Sequence, residues 1–191
     1  DKLALALARA RDGERLDEEQ IRLLFDARGR QFERVVEAAD GLRSQVSGDT
    51  VHYVVNRNIK YTKICYFSCR FCAFSKRTRT PINGEAPYDL DLDEIQRRTR
   101  EAWQRGATEI CLQGGIHPDY TGKTYLAICQ AVKAAASDIH VHAFSPLEVW
   151  QGATTLDLSL EDFLAELKLA GLGSLPGTAA EILDDEVRSV I

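Results

Sequence analysis

The sequence predicts an α/β chain, an incomplete βα barrel carried behind an N-terminal helical layer. Up to about residue 50, apolar side chains recur at the three-and-four spacing that lines one helix face. Ile21, Leu24 and Phe25, then Phe32, Val35, Val36 and Ala39, carry that pattern. From Val51 onward, short apolar runs alternate with amphipathic stretches, the rhythm of βα units and a parallel sheet. The units repeat at about 30 to 34 residues, and about four of them fit, whereas a parallel barrel needs roughly six strands in partial form or eight in full. The chain therefore divides into a helical extension over 1–50 and the N-terminal part of a barrel over 51–191.

The Ser47-Gly48-Asp49 break ends the helical layer. A first strand falls within Val51 to Ile64 and runs into a cysteine-rich loop. Asp91-Leu92-Asp93-Glu94 has the form of a capping box, opening a helix that runs to Arg105 with Gly106 as its left-handed stop. Thr108 to Gln113 is the next strand. Thr124 to Ala136 is a helix that buries Leu126, Cys129 and Val132. Ile139 to Phe144 follows as a strand. Ser159-Leu160-Glu161-Asp162 opens a helix that buries Phe163, Leu164 and Leu167 and ends at Gly171, and Gly173 to Gly177 begins a further strand. Asp184, Asp185 and Glu186 read as a solvated helix start, favourable to the dipole.

Composition excludes several function classes. With 24 Lys plus Arg against 29 Asp plus Glu, the formal charge is −5 and no basic stripe offers counterion release, so nucleic acid is not an expected partner. The short Arg70, Lys76, Arg77, Arg79 cluster reads as a solvated loop or as a local field for an anionic ligand or an acidic electron donor. No apolar run reaches the ~18 residues of a membrane span, and the N-terminus lacks a secretory pattern, so a cytoplasmic protein is expected. Five cysteines in 191 residues make no disulfide scaffold. Three crowded thiols in a reducing compartment point instead to metal. Cys111 reads as a strand residue and Cys129 as a small core residue. The chain contains no methionine and stops at Ile191 within a helical pattern, so a fragment of a longer polypeptide is expected.

The chemistry centres on Cys65, Cys69 and Cys72, spaced C-x3-C-x2-C. Three thiolates around a four-iron cluster leave one iron open to a small molecule, which four cysteines would not. In βα barrels ligand chemistry sits at the C-terminal ends of strands. Three loops fall there: the cysteine loop, Gln113-Gly114-Gly115, and Ser145-Pro146-Leu147-Glu148. Strand alternation gives Cys111, Gln113 and Gly115 one face, and His140, His142 and Phe144 another. Gln113 is placed to hold a polar group of cofactor or substrate. His142 is placed for acid/base work or substrate hydrogen bonding, against the alternative of a structural histidine. His140, nearer the barrel floor, reads as structural, and His117, before Pro118, as a surface residue. Ser145, Glu148 and Glu181 sit just past strand ends, where a carboxylate could accept from ribose hydroxyls or an amino group. The Gly177-Thr178 turn before Glu181 suits close approach. Tyr66 is placed to hydrogen-bond an adenine or to cover the cluster.

The cysteine spacing with Phe71 before the last cysteine, after a first strand and followed by Gly114-Gly115 at the end of the second, resembles the radical S-adenosylmethionine (SAM) superfamily. The stretches Asn58 to Cys65, Cys69 to Phe74, Leu112 to Asp119, His140 to Pro146 and Gly177 to Leu183 are similar to its deazaflavin and menaquinone-pathway branch. Gly177-Thr178-Ala179-Ala180-Glu181 and Ile116-His117-Pro118-Asp119 resemble the family of FO synthase second subunits, the tyrosine-dependent 4-hydroxybenzyl transferases of deazaflavin biosynthesis. The resemblance covers residues 50 to 191. It implies a radical SAM-type barrel and a [4Fe–4S] cluster on the three cysteines. S-adenosyl-L-methionine would chelate the open iron, Phe71 would lie near its adenine, and Gly114 and Gly115 would let backbone carbonyls approach its ammonium group.

The implied reaction starts with a 5'-deoxyadenosyl radical that takes hydrogen from L-tyrosine. The 4-hydroxybenzyl fragment then joins C5 of 5-amino-6-(D-ribitylamino)uracil, leaving 2-iminoacetate. An electron donor such as flavodoxin or ferredoxin, and FO synthase subunit 1 as a separate or fused partner, are implied as well. The alternatives are a menaquinone-pathway enzyme acting on a futalosine-type nucleoside, a zinc protein, or a plain electron carrier. Structural zinc usually needs four ligands in two close pairs, and no second pair is present in the sequence.

Overall fold

A computed structural model of the chain describes residues 1–67, 69, 72, 87–177 and 182–190. The chain forms two compact units, Asp1–Tyr53 and Val54–Ile191. The first contains α1 (Lys2–Arg11), α2 (Glu18–Phe25) and α3 (Arg30–Ser47). Asp1 and Asp17 cap the first two helices through their carboxylates, and Gln20 completes a reciprocal capping box with Asp17. The small core of this unit is Leu3, Leu7 and Ala38, flanked by Leu24 and Val35. Ile21, Phe25, Phe32 and Val36, expected to share a buried face, are exposed. The helices meet instead through the Leu3/Leu7 face of α1, a helix whose apolar spacing was not among the expectations.

The second unit contains β1 (Asn56–Lys60), α4 (Leu92–Gln104), β2 (Glu109–Gln113), α5 (Gly122–Ala135), β3 (His140–Ala143), α6 (Pro146–Thr155), α7 (Leu160–Leu169) and α8 (Asp185–Arg188). The three strands form a parallel sheet in the order β1-β2-β3. Its register places Ile59, Leu112 and Ala143 side by side, with Ile110 and Val141 two residues earlier. These side chains are buried against Ile95 and Ala102 of α4, Ile128, Cys129 and Val132 of α5, and Phe163 and Leu167 of α7. One face of the sheet is thus closed by helices. The other carries Asn58, Cys111 and His142 in one row, Asn56, Glu109 and His140 in the row before, and Lys60 and Gln113 in the row after.

Most predicted boundaries fall within a residue or two of these elements. Gly106 and Gly171 stop α4 and α7 at φ 86° and 110°, values a side chain would strain. Four differences have physical causes. Asp91 caps α4 by accepting from the Glu94 amide, but Glu94 does not complete a box, because Arg97 and Arg98 hold its carboxylate at 2.7 Å. The fourth strand is reduced among the described residues to a single parallel bridge between Ser174 and His142. Ser145-Pro146-Leu147-Glu148 is no loop but the first turn of α6, with Ser145 as N-cap, Pro146 at the start and a reciprocal box with Glu148. Phe144 leaves the face of His140 and His142, because a positive φ of 68° ends β3 and turns its ring into the core. There it packs edge-on against Tyr61 and Tyr125. The described sheet is open, with three strands.

Candidate active site

The chain leaving β1 runs along the C-terminal edge of the sheet and is fixed there by main-chain bonds. The Gly115 amide donates to the Thr62 carbonyl at 3.0 Å, and the Tyr66 amide to the Ile116 carbonyl at 3.0 Å. The Thr62 hydroxyl accepts from the Ile64 amide and donates to the Tyr88 carbonyl. Cys65 is held between these bonds, with 8% of its surface exposed. Cys69 is exposed and Cys72 half-buried, and the Cys72 amide donates to the Cys69 carbonyl at 3.2 Å.

Gly114 and Gly115 make this crossing possible. A Cβ at Gly115 would lie 2.3 Å from the Ile64 carbonyl oxygen and 2.8 Å from Cys65 Cβ. One at Gly114 would lie 2.4 Å from the Tyr61 ring. The glycine pair therefore admits the cysteine-bearing segment itself, a closeness no side chain permits.

Glu148 joins the strand ends and is 1% exposed. Oε1 accepts from the Gly114 amide at 3.1 Å and from the Tyr61 hydroxyl, and Oε2 accepts from the Ser145 amide at 2.6 Å. One carboxyl group thus ties together the ends of β1, β2 and β3. Burial pushes it above the ordinary carboxylate range, against the pull of its Ser145, Tyr61 and Gly114 donors. Burial and the neighbouring carboxyl hold the Tyr61 phenol well above its usual value. Glu148 and Ser145, expected beside a cofactor, are engaged in the structure with the protein itself. Both Glu148 oxygens are taken by protein donors, and the Ser145 hydroxyl accepts from the Glu148 amide as a helix cap.

Gln113, half-buried, ends β2 beside Lys60 of β1 on the open face. His142 stands one row lower beside Cys111, its Nδ1 2.7 Å from Ser174 Oγ. The two strands' outward residues expected on separate faces thus share one. Tyr66 is exposed, its ring stacked on Phe67 at 4.5 Å. Phe71, Thr178, Glu181 and the Arg70, Lys76, Arg77, Arg79 cluster lie outside the described residues. His117, expected at the surface, is buried, because its ring stacks on Tyr120 at 4.6 Å and Nδ1 accepts from the Asp119 amide. Sequence reasoning also passed over Tyr61 and Gln151. Gln151 accepts from the Tyr125 hydroxyl and donates to the His117 carbonyl. No periodicity marks either residue, since their value lies in partners far along the chain.

Three cysteine thiols, one buried and two accessible, on a loop at the C-terminal edge of a parallel sheet are a donor set for an iron–sulfur cluster with an open iron. The sequence profile of the Radical SAM superfamily matches residues 59–191. The chain belongs to the radical SAM superfamily. Radical SAM proteins use a [4Fe–4S] cluster and S-adenosylmethionine, and the cysteine loop fits that cluster.

The relatives narrow the family. The chain is 48% identical over 190 residues to FO synthase of Streptomyces coelicolor, covering 100% of this chain and 21% of that one. It is 50% identical over 153 residues to the 5-amino-6-(D-ribitylamino)uracil–L-tyrosine 4-hydroxyphenyl transferase of Archaeoglobus fulgidus, covering 80% and 42%. The chain thus spans about a fifth of the FO synthases it matches. Among solved radical SAM folds, it resembles the FeFe-hydrogenase maturase HydG from Carboxydothermus hydrogenoformans at 18% identity and a TM-score of 0.61, over 91% of this chain and 37% of that one. Methylornithine synthase (PylB) matches at 18% and 0.57, over 88% and 57%.

Proposed function

We propose that this chain is the cluster-bearing part of a radical SAM transferase that joins the 4-hydroxybenzyl group of L-tyrosine to 5-amino-6-(D-ribitylamino)uracil in deazaflavin biosynthesis. The observation that carries the reading is the C-x3-C-x2-C loop at the end of β1, in a chain 48% identical along its length to an FO synthase. When bound, the cluster supplies the electron that cleaves S-adenosylmethionine to a 5'-deoxyadenosyl radical.

The chain's own residues do the rest of the work assigned here. Cys65, Cys69 and Cys72 hold the cluster. Gly114 and Gly115 bring the end of β2 against the cysteine segment, and Glu148 locks the strand ends so that this contact is rigid. Tyr66, together with Phe71, Thr178 and Glu181, completes the cofactor-binding set on the strength of the family resemblance. Gln113 at the top of the open face orients a polar group of cofactor or substrate. His142 faces the same side, where its imidazole can hydrogen-bond the tyrosine or the uracil. Its bond to Ser174 fixes the ring.

A low-potential donor such as flavodoxin or ferredoxin supplies the electron, and FO synthase subunit 1, separate or fused, consumes the adduct. Reduced thiols suit a cytoplasmic setting, and no helix among the described residues is long and apolar enough to cross a membrane.

The test is anaerobic reconstitution of the full-length protein with iron and sulfide, followed by reductant, S-adenosylmethionine, tyrosine and the diaminouracil. The expected products are 5'-deoxyadenosine and a hydroxybenzylated uracil. Deoxyadenosine without the adduct rejects the substrate assignment. Replacing Cys65, Cys69 or Cys72 by Ala is expected to abolish deoxyadenosine formation, whereas Cys111→Ala and Cys129→Ala retain cluster iron.

A further inference from the structure

We infer that Glu109, His140 and His142 form a site for a divalent transition metal of the zinc class at the N-terminal end of the sheet, separate from the cysteine cluster. Glu109 and His140 are the first residues of β2 and β3 and sit side by side in the register, with His142 one row along on the same face. One ligand atom from each lies within 4.8 Å of the other two. The cysteine loop leaves the opposite end of β1, roughly 13 Å away at ~3.3 Å per strand residue.

The surroundings are organised around these three side chains. The Asn56 amide group donates to Glu109 Oε1 at 3.5 Å, which turns Oε2 toward His140 Nε2, 4.0 Å away. Ser174 Oγ lies 2.7 Å from His140 Nε2 and 2.7 Å from His142 Nδ1. Which ring nitrogen donates to the hydroxyl and which accepts from it depends on the tautomers of the two histidines. A metal held here takes the lone pair of one nitrogen on each ring, so any proton on that nitrogen has to leave. Gly173 leaves the space His140 needs, since a Cβ there would lie 2.3 Å from its Cε1. The Gly173 and Ser174 amides both donate to the Val141 carbonyl, which pins the segment after α7 alongside β3.

Two imidazoles and one carboxylate are the donor set for zinc, ferrous iron or cobalt, and three protein ligands leave a fourth position for water or the Ser174 hydroxyl. Ligand atoms of a tetrahedral zinc lie about 3.3 Å apart at ~2.0–2.1 Å bond lengths. A tetrahedral ion would need the three atoms to close to that separation by side-chain rotation, and the His140 side chain is 44% exposed. The bound ion would cross-link β2, β3 and the segment carrying Ser174.

The experiment uses the cluster-loaded protein, in which iron already occupies the cysteines. It is incubated with zinc sulfate and desalted, and zinc and iron are counted per chain. The expected result is about one zinc beyond the iron complement. Zinc affinity should fall roughly 10-fold or more in His142→Ala and Glu109→Gln, with iron unchanged, while Cys111→Ala keeps both metals. If a variant fails to hold its iron, wild-type protein decides alone. Zinc should slow diethyl pyrocarbonate modification of His140 and His142 but not of His52. No retained zinc in the wild type, the same zinc in His142→Ala, zinc gained only as the visible absorbance of the iron–sulfur cluster is lost, or histidine modification indifferent to zinc would each overturn the site.

Discussion

Cys129 and Cys69 carry the same thiol and meet opposite environments. Cys129 is fully buried on α5, and desolvation pushes its thiol up to about 12. Cys69 is exposed on the loop. Because only the thiolate is nucleophilic, iodoacetamide at pH 8 should label cluster-free protein first at Cys69 and last at Cys129. Cys111, half-buried and raised by burial and then by Glu109, should fall between them. Peptide mass mapping against time checks the order, and early labelling of Cys129 would contradict it. Glu148 offers a sharper residue-scale test. The folded state holds its proton more tightly than the unfolded chain, whose value is near 4.5. The stability this carboxyl contributes is therefore fully present below pH 4.5 and is lost as pH rises through the folded value. Glu148→Gln removes that titration and sets an amide NH2 against the Ser145 N–H, a mismatch costing about 1–3 kcal/mol. Melting temperatures from pH 4.5 to 8 should show the gap between wild type and variant shrinking as pH rises, and a constant gap would sink the assignment.

At the scale of elements, the crossing of the β1–Cys65 segment over Gly114-Gly115 is the most sensitive join. In Gly115→Ala the new Cβ meets a backbone oxygen at 2.3 Å, which cannot rotate away as a side chain could. The segment has to move, at a cost of about 1–3 kcal/mol for overpacking. Cluster iron should drop together with the midpoint of denaturant unfolding; full iron in a folded variant would show the crossing to be slack. The same elements show what could be read beforehand. The βα rhythm, the three strands, the Gly106 and Gly171 stops and the cysteine loop were all legible, because they follow from local periodicity and turn chemistry. α6 was passed over although Ser145-Pro146-Leu147-Glu148 is a capping box with proline at N1. Its position at a strand end invited a binding loop, and its exposed Trp150 blurs the apolar stripe. The roles of Glu148, Gly114 and Gly115 were not legible, since each depends on a partner that only the folded sheet brings close.

Across the whole molecule the two units differ most in what they bury. In Val54–Ile191 a continuous core runs from Ile59 through Leu112, Tyr125, Phe144 and Phe163. In Asp1–Tyr53 the core cluster is Leu3, Leu7 and Ala38, while Phe25 is 77% exposed. Two buried leucines supply only ~2 kcal/mol each. Ordering helical backbone costs ~1–2 kcal/mol per residue before hydrogen bonds and packing offset it. The ion pairs Lys2–Glu19 and Arg34–Asp1 add little, for both lie at the surface. The helical unit should therefore open far more often than the sheet. Hydrogen exchange followed by mass spectrometry at neutral pH should find the amides of α1 to α3 exchanging well before those of β2 and α5. Equal protection in the two units would mean that the N-terminal helices draw stability from burial other than the Leu3, Leu7 and Ala38 cluster, and the two-unit account of this chain would have to be abandoned.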